Sequence, residues 1–280
     1  MKKLTFAVLG MGNRGTAYAG KQLKFPEEME VVAMADNRRV RLDAANKYLH
    51  LPEDRLFDGA DSILAQPKLA DIMVIATQDA QHREHAIRAM ELGYDLLLEK
   101  PISNNIEEAR FMVDYAAKKG LYLGCDLNHY FSEPAFRADQ LIADNKIGEQ
   151  VYALTKVGFN GSAVNVNPVD RNSRWQMPYS HLKAFCAHPF SVMRYFCGDI
   201  VQVQAFLDRP GVRKTAGDPM LSINSVNCKF EKGGVGVLIS QRGDARFGLG
   251  GWWSFELAGT HGTFCIENCV EKLTYWKQGQ

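Results

Sequence analysis

The sequence predicts an α/β chain in two parts. Residues 1–125 form a parallel sheet covered by helices on both faces, and residues 126–280 form a second α/β part whose strands pair mainly antiparallel. Three observations carry this prediction. Up to about residue 125, short apolar runs alternate with helix-patterned segments through short loops, as parallel strands joined by helical crossovers require. A GxGxxG motif stands directly after the first strand pattern and opens a helix. Beyond that point a few helices give way to successive strands with period-two patterning and tight turns.

The elements follow in order. Residues 4–9 form an apolar strand, and the glycine-rich turn 10–15 interrupts it. Helix formers fill 16–24 until Phe25-Pro26, because the residue before a proline is driven out of the helical region. Residues 30–35 are the next strand, closed by Asp36, and Val40, Ala44, Ala45 and Tyr48 fall at helical spacing. Residues 70–76 read as a buried strand. Asp79 reads as an N-cap, Ala86, Ile87, Ala89 and Met90 as one helix face, and Gly93 as the stop. Residues 95–98 form a strand that leads into Glu99-Lys100-Pro101. Asn104 with Glu107 resembles a capping box for a helix ending at Lys118-Lys119-Gly120, and 121–124 form one more strand.

In the second part, 134–144 is a helix, 160–178 a polar loop, and 181–196 a helical stretch interrupted at Pro189. Strands are expected at 201–207, 221–230, 235–241, 252–258, 262–266 and 271–276, with Lys232-Gly233-Gly234 as a turn.

Composition narrows the function classes. The chain has 280 residues, 46% of them hydrophobic and 23% charged, which is a normal globular balance. A net charge of +1 argues against a large basic surface, so no nucleic-acid partner is expected. No apolar run approaches the ~18 residues of a membrane span, and the short N-terminal run into Gly10 does not read as a signal peptide. Cys125, Cys186, Cys197, Cys228, Cys265 and Cys269 contain no CxxC pair. They read as free thiols of a cytoplasmic protein, and no metal is expected.

Gly10-Met11-Gly12-Asn13-Arg14-Gly15 is placed to bind a dinucleotide. The glycines allow a tight turn and close approach to a pyrophosphate, and the helix start supplies amide donors. Asp36 follows Gly15 by 21 residues, where a carboxylate meets the adenosine ribose. Its charge favours NAD. Asn37 and Arg38 border the same place, and Arg38 with Arg39 keeps NADP open.

At this point the chain resembles the Gfo/Idh/MocA oxidoreductases. The likeness rests on GMGNRG, Asp36, ATQDAQH at 76–82 and above all Glu99-Lys100-Pro101. It continues through NHYFSEPAFRADQLIADNKIG at 128–148 and the His188 helix ending in Arg194-Tyr195-Phe196-Cys197-Gly198, so it covers essentially the whole chain. The resemblance implies a Rossmann dinucleotide-binding domain followed by an α/β domain with a large open, mainly antiparallel sheet, and a nicotinamide cofactor in the cleft between them. It implies that Lys100 reaches the reacting hydroxyl, that Glu99 borders the cofactor, that Pro101 shapes the turn, and that Thr77 and His82 lie beside the cofactor. It also implies a homodimer or homotetramer through the C-terminal sheet. The residues support the lysine independently: the carboxyl end of a parallel strand points into the crevice where such sheets bind ligands.

His188 matches the family's proton-accepting histidine. Members commonly carry an aspartate four residues earlier, where this chain has Ala184, so the usual partner of the imidazole is missing. Pro189 biases the His188 backbone away from helix, towards a helix break. Asn128, His129 and Tyr130 leave the last strand of the first part and are candidates to face substrate. Trp175, with Arg174, could form an aromatic wall for the C–H face of a sugar. Trp252 or Trp253 is expected to pack in the sheet or in an interface.

The function expected is hydride transfer between a nicotinamide cofactor and a hydroxyl carbon of a sugar, inositol or related polyol. An NAD-retaining glycosidase working by transient oxidation and elimination stays open, as does a dinucleotide-binding sensor without turnover.

Overall fold

The computed structural model describes residues 2–159, 181–215, 217, 220–242, 253–267 and 272–279. Their contacts divide the chain into two compact units, Met1–Asp126 and Leu127–Gln280.

The first unit is built on strands β1 (Leu4–Leu9), β2 (Met29–Ala35), β3 (Leu56–Phe57), β4 (Ile72–Ile75), β5 (Asp95–Leu98) and β6 (Leu123–Cys125). They lie in the order β3-β2-β1-β4-β5-β6, all parallel. Its helices are α1 (Asn13–Ala19), α2 (Arg39–Leu49), α3 (Ala60–Leu64), α4 (His82–Glu91) and α5 (Ile106–Lys119). Side chains alternate across a strand, so each strand feeds two cores. Leu9, Met73, Ile75, Leu96 and Leu98 meet Ala86, Ala89 and Met90 of α4 on one side. Val8, Val31, Met34 and Val74 meet Leu42 and Ala45 of α2 on the other. Chain order reverses between β1 and β4, which opens a crevice at the carboxyl ends of the strands.

Three boundaries depart from expectation. The first helix begins at Asn13, inside the glycine motif, because Gly12 takes the extended cap position (φ −74°, ψ −165°); a 3-10 turn at Gly20–Leu23 follows it. Asp79 does not cap α4. It opens a 3-10 turn, and its carboxylate accepts from Ala80 N and from Asn104 Nδ2 at 3.1 and 2.8 Å. With the Asn104 side chain engaged there, Asn105 caps α5, accepting from Glu107 N and Glu108 N at 2.8 and 3.1 Å. Gly93 and Gly120 are left-handed stops, with φ of 84° and 67°.

The second unit carries β7 (Gln150–Phe159), β8 (Ile200–Asp208), β9 (Ile223–Phe230), β10 (Val235–Arg242), β11 (Trp253–Gly259), β12 (Gly262–Glu267) and β13 (Lys272–Lys277). They form one sheet in the order β13-β12-β11-β7-β10-β9-β8. Among the described strands of this sheet, only β7 and β10 pair in parallel. The helices are α6 (Glu133–Ala143), α7 (His181–Phe185), α8 (Ala187–Cys197) and α9 (Gly211–Thr215). Ala135 and Ala138 of α6 and Val192, Met193 and Phe196 of α8 share a core with Val226, Leu238, Phe255 and Phe264 of the sheet.

The helical break falls at Cys186, three residues before Pro189. Pro189 sits in the first turn of α8, where its missing N–H is one that has no intrahelical acceptor anyway. His188 is therefore helical rather than at a break. The alternation Val201-Gln202-Val203-Gln204 does not produce a buried face either. β8 is an edge strand, and Val201 and Val203 are 62% and 63% exposed. The loop 160–178 with Arg174 and Trp175 lies outside the described residues, as do Trp252 and Cys269. The described cysteines are free thiols. No helix among the described residues is long and apolar enough to cross a membrane.

Candidate active site

The residues of the first unit expected from the sequence gather at the carboxyl ends of β1, β2, β4 and β5. Gly10, after β1, has a φ of 94°, and a Cβ there would lie 2.7 Å from Ala76 O at the end of β4. A Cβ on Gly15 would lie 1.8 Å from Gly10 O. These two glycines close the turn against its own backbone. Gly12 differs: the nearest atom to its ideal Cβ is Arg41 Nη1 at 3.9 Å. The open side of Gly12 is the space a side chain would fill and a pyrophosphate can use, and no side chain caps α1 there. The turn therefore fits a dinucleotide on steric grounds.

Asp36, only 5% exposed, braces this turn. Its Oδ2 accepts from Met11 N at 2.8 Å and Arg41 Nη1 at 3.1 Å, and its Oδ1 accepts from Arg38 N at 2.9 Å. An ionised carboxylate has about four acceptor positions, so protein donors fill most of them. Asn13, Asn37 and Arg38 are exposed around the turn. Arg39 faces elsewhere, paired with Asp43 at 2.7 Å and with Glu53. Arg41, which sequence reasoning missed, is the cation beside Asp36 and Gly12. Three arginines crowd the segment 38–41, and only the start of α2 at Arg39 decides which one turns inward.

Thr77 follows β4, and its hydroxyl lies 3.0 Å from His85 Nδ1. His82 is 1% exposed. Its Nδ1 faces Pro101 O at 2.9 Å and its Nε2 faces Thr77 O at 3.3 Å. Both ring nitrogens thus meet backbone carbonyls, and His82 ties the loop after β4 to the turn after β5.

That second turn carries Glu99, Lys100 and Pro101, with a cis Lys100–Pro101 peptide bond. Glu99 is 6% exposed. Its Oε1 accepts from Tyr18 Oη at 2.8 Å and lies 3.1 Å from Arg14 Nε, while its Oε2 accepts from Lys100 N at 3.1 Å. Arg14 Nη2 also lies 3.7 Å from Asp126 Oδ2. Burial raises the Glu99 pKa, against the Tyr18 hydrogen bond and the Arg14 charge. Burial lowers the pKa of half-buried Lys100, and the Glu99 charge opposes it. Arg14 and Glu99, both expected at the cofactor, are thus bound to each other. Tyr18 and Asp126 are partners that no motif announced.

In the second unit, His188 is 2% exposed. Its ring lies 4.4 Å from that of His129 and 5.3 Å from that of Phe185. His129 also packs on Trp253 at 4.9 Å. Of the three residues after β6, His129 is the one brought to His188. Tyr130 stacks on Tyr195 at 4.8 Å, and Asn128 is exposed. Trp253, Val157, Ser240 and Asn224 are successive neighbours across the buried sheet face. Asn224 Nδ2 donates to Ser240 Oγ at 2.7 Å. Asn224 Oδ1 and Trp253 Nε1 are buried with no hydrogen-bond partner. Ser240 and Asn224 were invisible in the sequence, since a serine and an asparagine on alternating strands carry no motif.

Comparison with known proteins agrees with this architecture. The model described as "Oxidoreductase family, NAD-binding Rossmann fold" matches residues 4–127, and that of the GFO/IDH/MocA C-terminal domain matches residues 136–265. The chain belongs to the Gfo/Idh/MocA oxidoreductase family. D-glucoside 3-dehydrogenase of Escherichia coli is 28% identical over 170 residues, 59% of this chain and 47% of that protein. The 1,5-anhydro-D-fructose reductase of Ensifer adhaerens is 34% identical over 84 residues, 30% of this chain and 25% of that protein. The chain spans about half the length, or less, of the curated relatives it matches. Among solved structures, the Bordetella pertussis WlbA dehydrogenase, in complex with NADH and UDP-GlcNAcA, has a TM-score of 0.85 at 18% identity. The match covers 100% of this chain and 78% of that one. The Lactobacillus casei scyllo-inositol dehydrogenase, with bound NAD(H) and scyllo-inositol, has a TM-score of 0.81 at 22% identity, over 95% and 76% of the two chains. At these identities the structural likeness speaks to the Gfo/Idh/MocA fold. The glycine turn, Asp36 and the Glu99-Lys100-Pro101 turn fall within the segment matched by the NAD-binding model.

Proposed function

We propose that the protein oxidises or reduces a hydroxyl-bearing carbon of a sugar, inositol or related polyol with NAD, with NADP as a possible second cofactor. The observation that carries this reading is Lys100: a half-buried lysine beside a buried glutamate, on a strand end next to a turn sterically suited to a dinucleotide. The family and the sugar-directed names of its relatives support the substrate class.

When bound, the nicotinamide ring supplies the hydride acceptor or donor. The rest falls to the chain. Gly10, Gly12 and Gly15 seat the pyrophosphate, and Asp36 and Arg41 border the adenosine end. Met11, Asn13, Arg14, Asn37, Arg38, Thr77 and Pro101 shape or surround that site. Oxidation takes a hydride from the substrate C–H and a proton from its O–H. Lys100 Nζ holds the hydroxyl oxygen and stabilises the negative charge that develops on it. His188 accepts the proton. With alanine at 184, packing on His129 and Phe185 contributes to orienting the imidazole. Asn128, Tyr130 and Trp175 remain substrate-facing candidates. Asn224 Oδ1 and Trp253 Nε1 add an acceptor and a donor suited to further hydroxyls, because a buried polar atom without a partner favours a ligand that provides one.

A second copy of the chain is the partner this reading adds. Val201, Val203 and Phe206 on edge strand β8 are 62%, 63% and 64% exposed, an apolar surface that association would cover. Light scattering should give a dimer or tetramer; a monodisperse monomer overturns that part.

The decisive experiment mixes the protein with NAD or NADP and a panel of sugars, inositols and their glycosides, following nicotinamide absorbance. Many turnovers of reduced cofactor are expected. Aglycone release without accumulating reduced cofactor would replace this reading with the redox-neutral glycosidase. Tight cofactor binding with silence in both channels would favour a sensor.

A further inference from the structure

We propose that Tyr18 and Arg14 are positioning residues for Lys100, acting through Glu99. The inference rests on the reading of Lys100 given above. It follows from one helix face. Arg14 and Tyr18 stand one turn apart on α1, the helix that opens at the dinucleotide turn. Both reach the same oxygen of Glu99, at 3.1 and 2.8 Å, while the other oxygen accepts from the Lys100 amide. The helix that seats the cofactor thus also grips the carboxylate next to the lysine.

A carboxylate that is 6% exposed stays ionised only if donors replace the lost water. Tyr18 and Arg14 are those donors, opposed by burial and by the Asp126 charge. Tyr18 keeps its proton: burial and the nearby Asp126 and Glu99 raise its pKa. Lys100 is faced by Glu99 and Asp126, which favour its cationic form, by Asp79, which does the same, and by Arg14, which opposes it. The Cys125 thiol beside Asp126 is pushed up to about 12 and adds no charge near neutrality. Of the carboxylates that sustain the lysine's charge Glu99 contributes most, so the Tyr18 hydroxyl acts on Lys100 at one remove.

Tyr18→Phe keeps the ring and deletes that hydroxyl. Glu99 then protonates over a wider pH range, and Lys100 loses its proton at lower pH. The direct readout is the titration of Lys100 in the cofactor-free protein, by carbon NMR of reductively methylated lysines, with Lys100→Arg to assign the signal. Y18F should move that titration down by about one pH unit. The alkaline limb of kcat/KM should move with it. In a Glu99→Gln background, where the carboxylate is already neutral, Y18F should add no further shift.

An unchanged Lys100 titration in Y18F overturns the proposal, and so does an equal shift in the E99Q background. Should Y18F fail to fold, Arg14→Gln carries the test, since Arg14 is half exposed. R14Q should raise the Glu99 pKa by carboxyl NMR, and Arg14→Lys should restore part of it; no change in R14Q overturns the proposal. Activity retained by Lys100→Ala would refute the catalytic reading of Lys100 while leaving the titration result to stand on its own.

Discussion

Glu99 in the first unit and His188 in the second are about equally buried, at 6% and 2%, yet the contacts described around them differ in kind. Around Glu99 lie a phenol, a guanidinium and an amide, each hydrogen-bonded to or ion-paired with a carboxylate oxygen. The rings of His129 and Phe185 pack on His188. A buried anion must be held by donors of fixed direction, whereas ring packing orients an imidazole through the shape of its neighbours. The first site should therefore respond to single hydroxyls and to pH, and the second to lost volume.

The largest expected effect is on turnover. Lys100→Ala removes the group that stabilises the developing oxyanion and should lower kcat/KM by about 10²–10³, the range for deleting one such donor. His188→Ala should cost about 10²–10⁴ through loss of the general base. Steady-state kinetics on both variants and on the double variant checks this. If the two losses multiply fully, lysine and histidine contribute independently, and a role for the two as one coupled unit is ruled out.

Packing sharpens the contrast next. His129→Ala should destabilise the second unit by about 2–4 kcal/mol, as for a large side chain deleted from a core, while His129→Phe should cost under about 1.5 kcal/mol because the ring remains. Denaturant unfolding measures both. Equal losses would mean that His129 acts through its nitrogens, and the shape-based account of His188 would fall. At the glycine turn a smaller but sharper effect is expected. Gly15→Ala would set a Cβ 1.8 Å from a backbone oxygen, so the turn must move. Dinucleotide affinity, read by fluorescence titration, should fall at least about tenfold, or ~1.4 kcal/mol.

The first unit was more legible in the sequence than the second for the same reason. The glycine motif, Asp36 and Glu99-Lys100-Pro101 sit at strand ends, and alternation of strand and helix fixes where strand ends go. Their charges also demand partners within reach. What escaped was local competition: Asn105 rather than Asn104 at a cap, Arg41 rather than Arg39 turned inward, Tyr18 reaching across from α1. In each case near-identical residues stand close together, and tertiary contacts choose between them. In the second unit Trp253, Ser240 and Asn224 line up across a mixed sheet, and register between distant strands is not written in local pattern. Pro189 misled for the opposite reason, since a proline breaks a helix in its interior but fits its first turn.

The smallest prediction sets a partly exposed carboxylate against the buried one. Asp71 precedes β4 and ties it to β1: its Oδ2 accepts from Thr5 N and Thr5 Oγ1 at 3.0 and 2.9 Å, and Lys2 pairs with its Oδ1. The Thr5 amide, the Thr5 hydroxyl and Lys2 together hold its carboxyl at about 2. The unfolded value is ~3.9, so Asp71 stabilises the fold above about pH 4, and that contribution is lost as pH falls towards 2. Glu99, raised by burial, runs the other way: the fold loses stability as pH rises from the unfolded glutamate value towards the higher folded one. Asp71→Asn should lower the thermal midpoint slightly at pH 7, and its gap from the wild type should close between about pH 4 and 2. In Glu99→Gln, by contrast, any gain in midpoint should appear only above the unfolded glutamate pKa of ~4.3 and grow with pH. Parallel gaps for the two variants across this range would mean that donors and burial do not divide these carboxylates as the structure indicates.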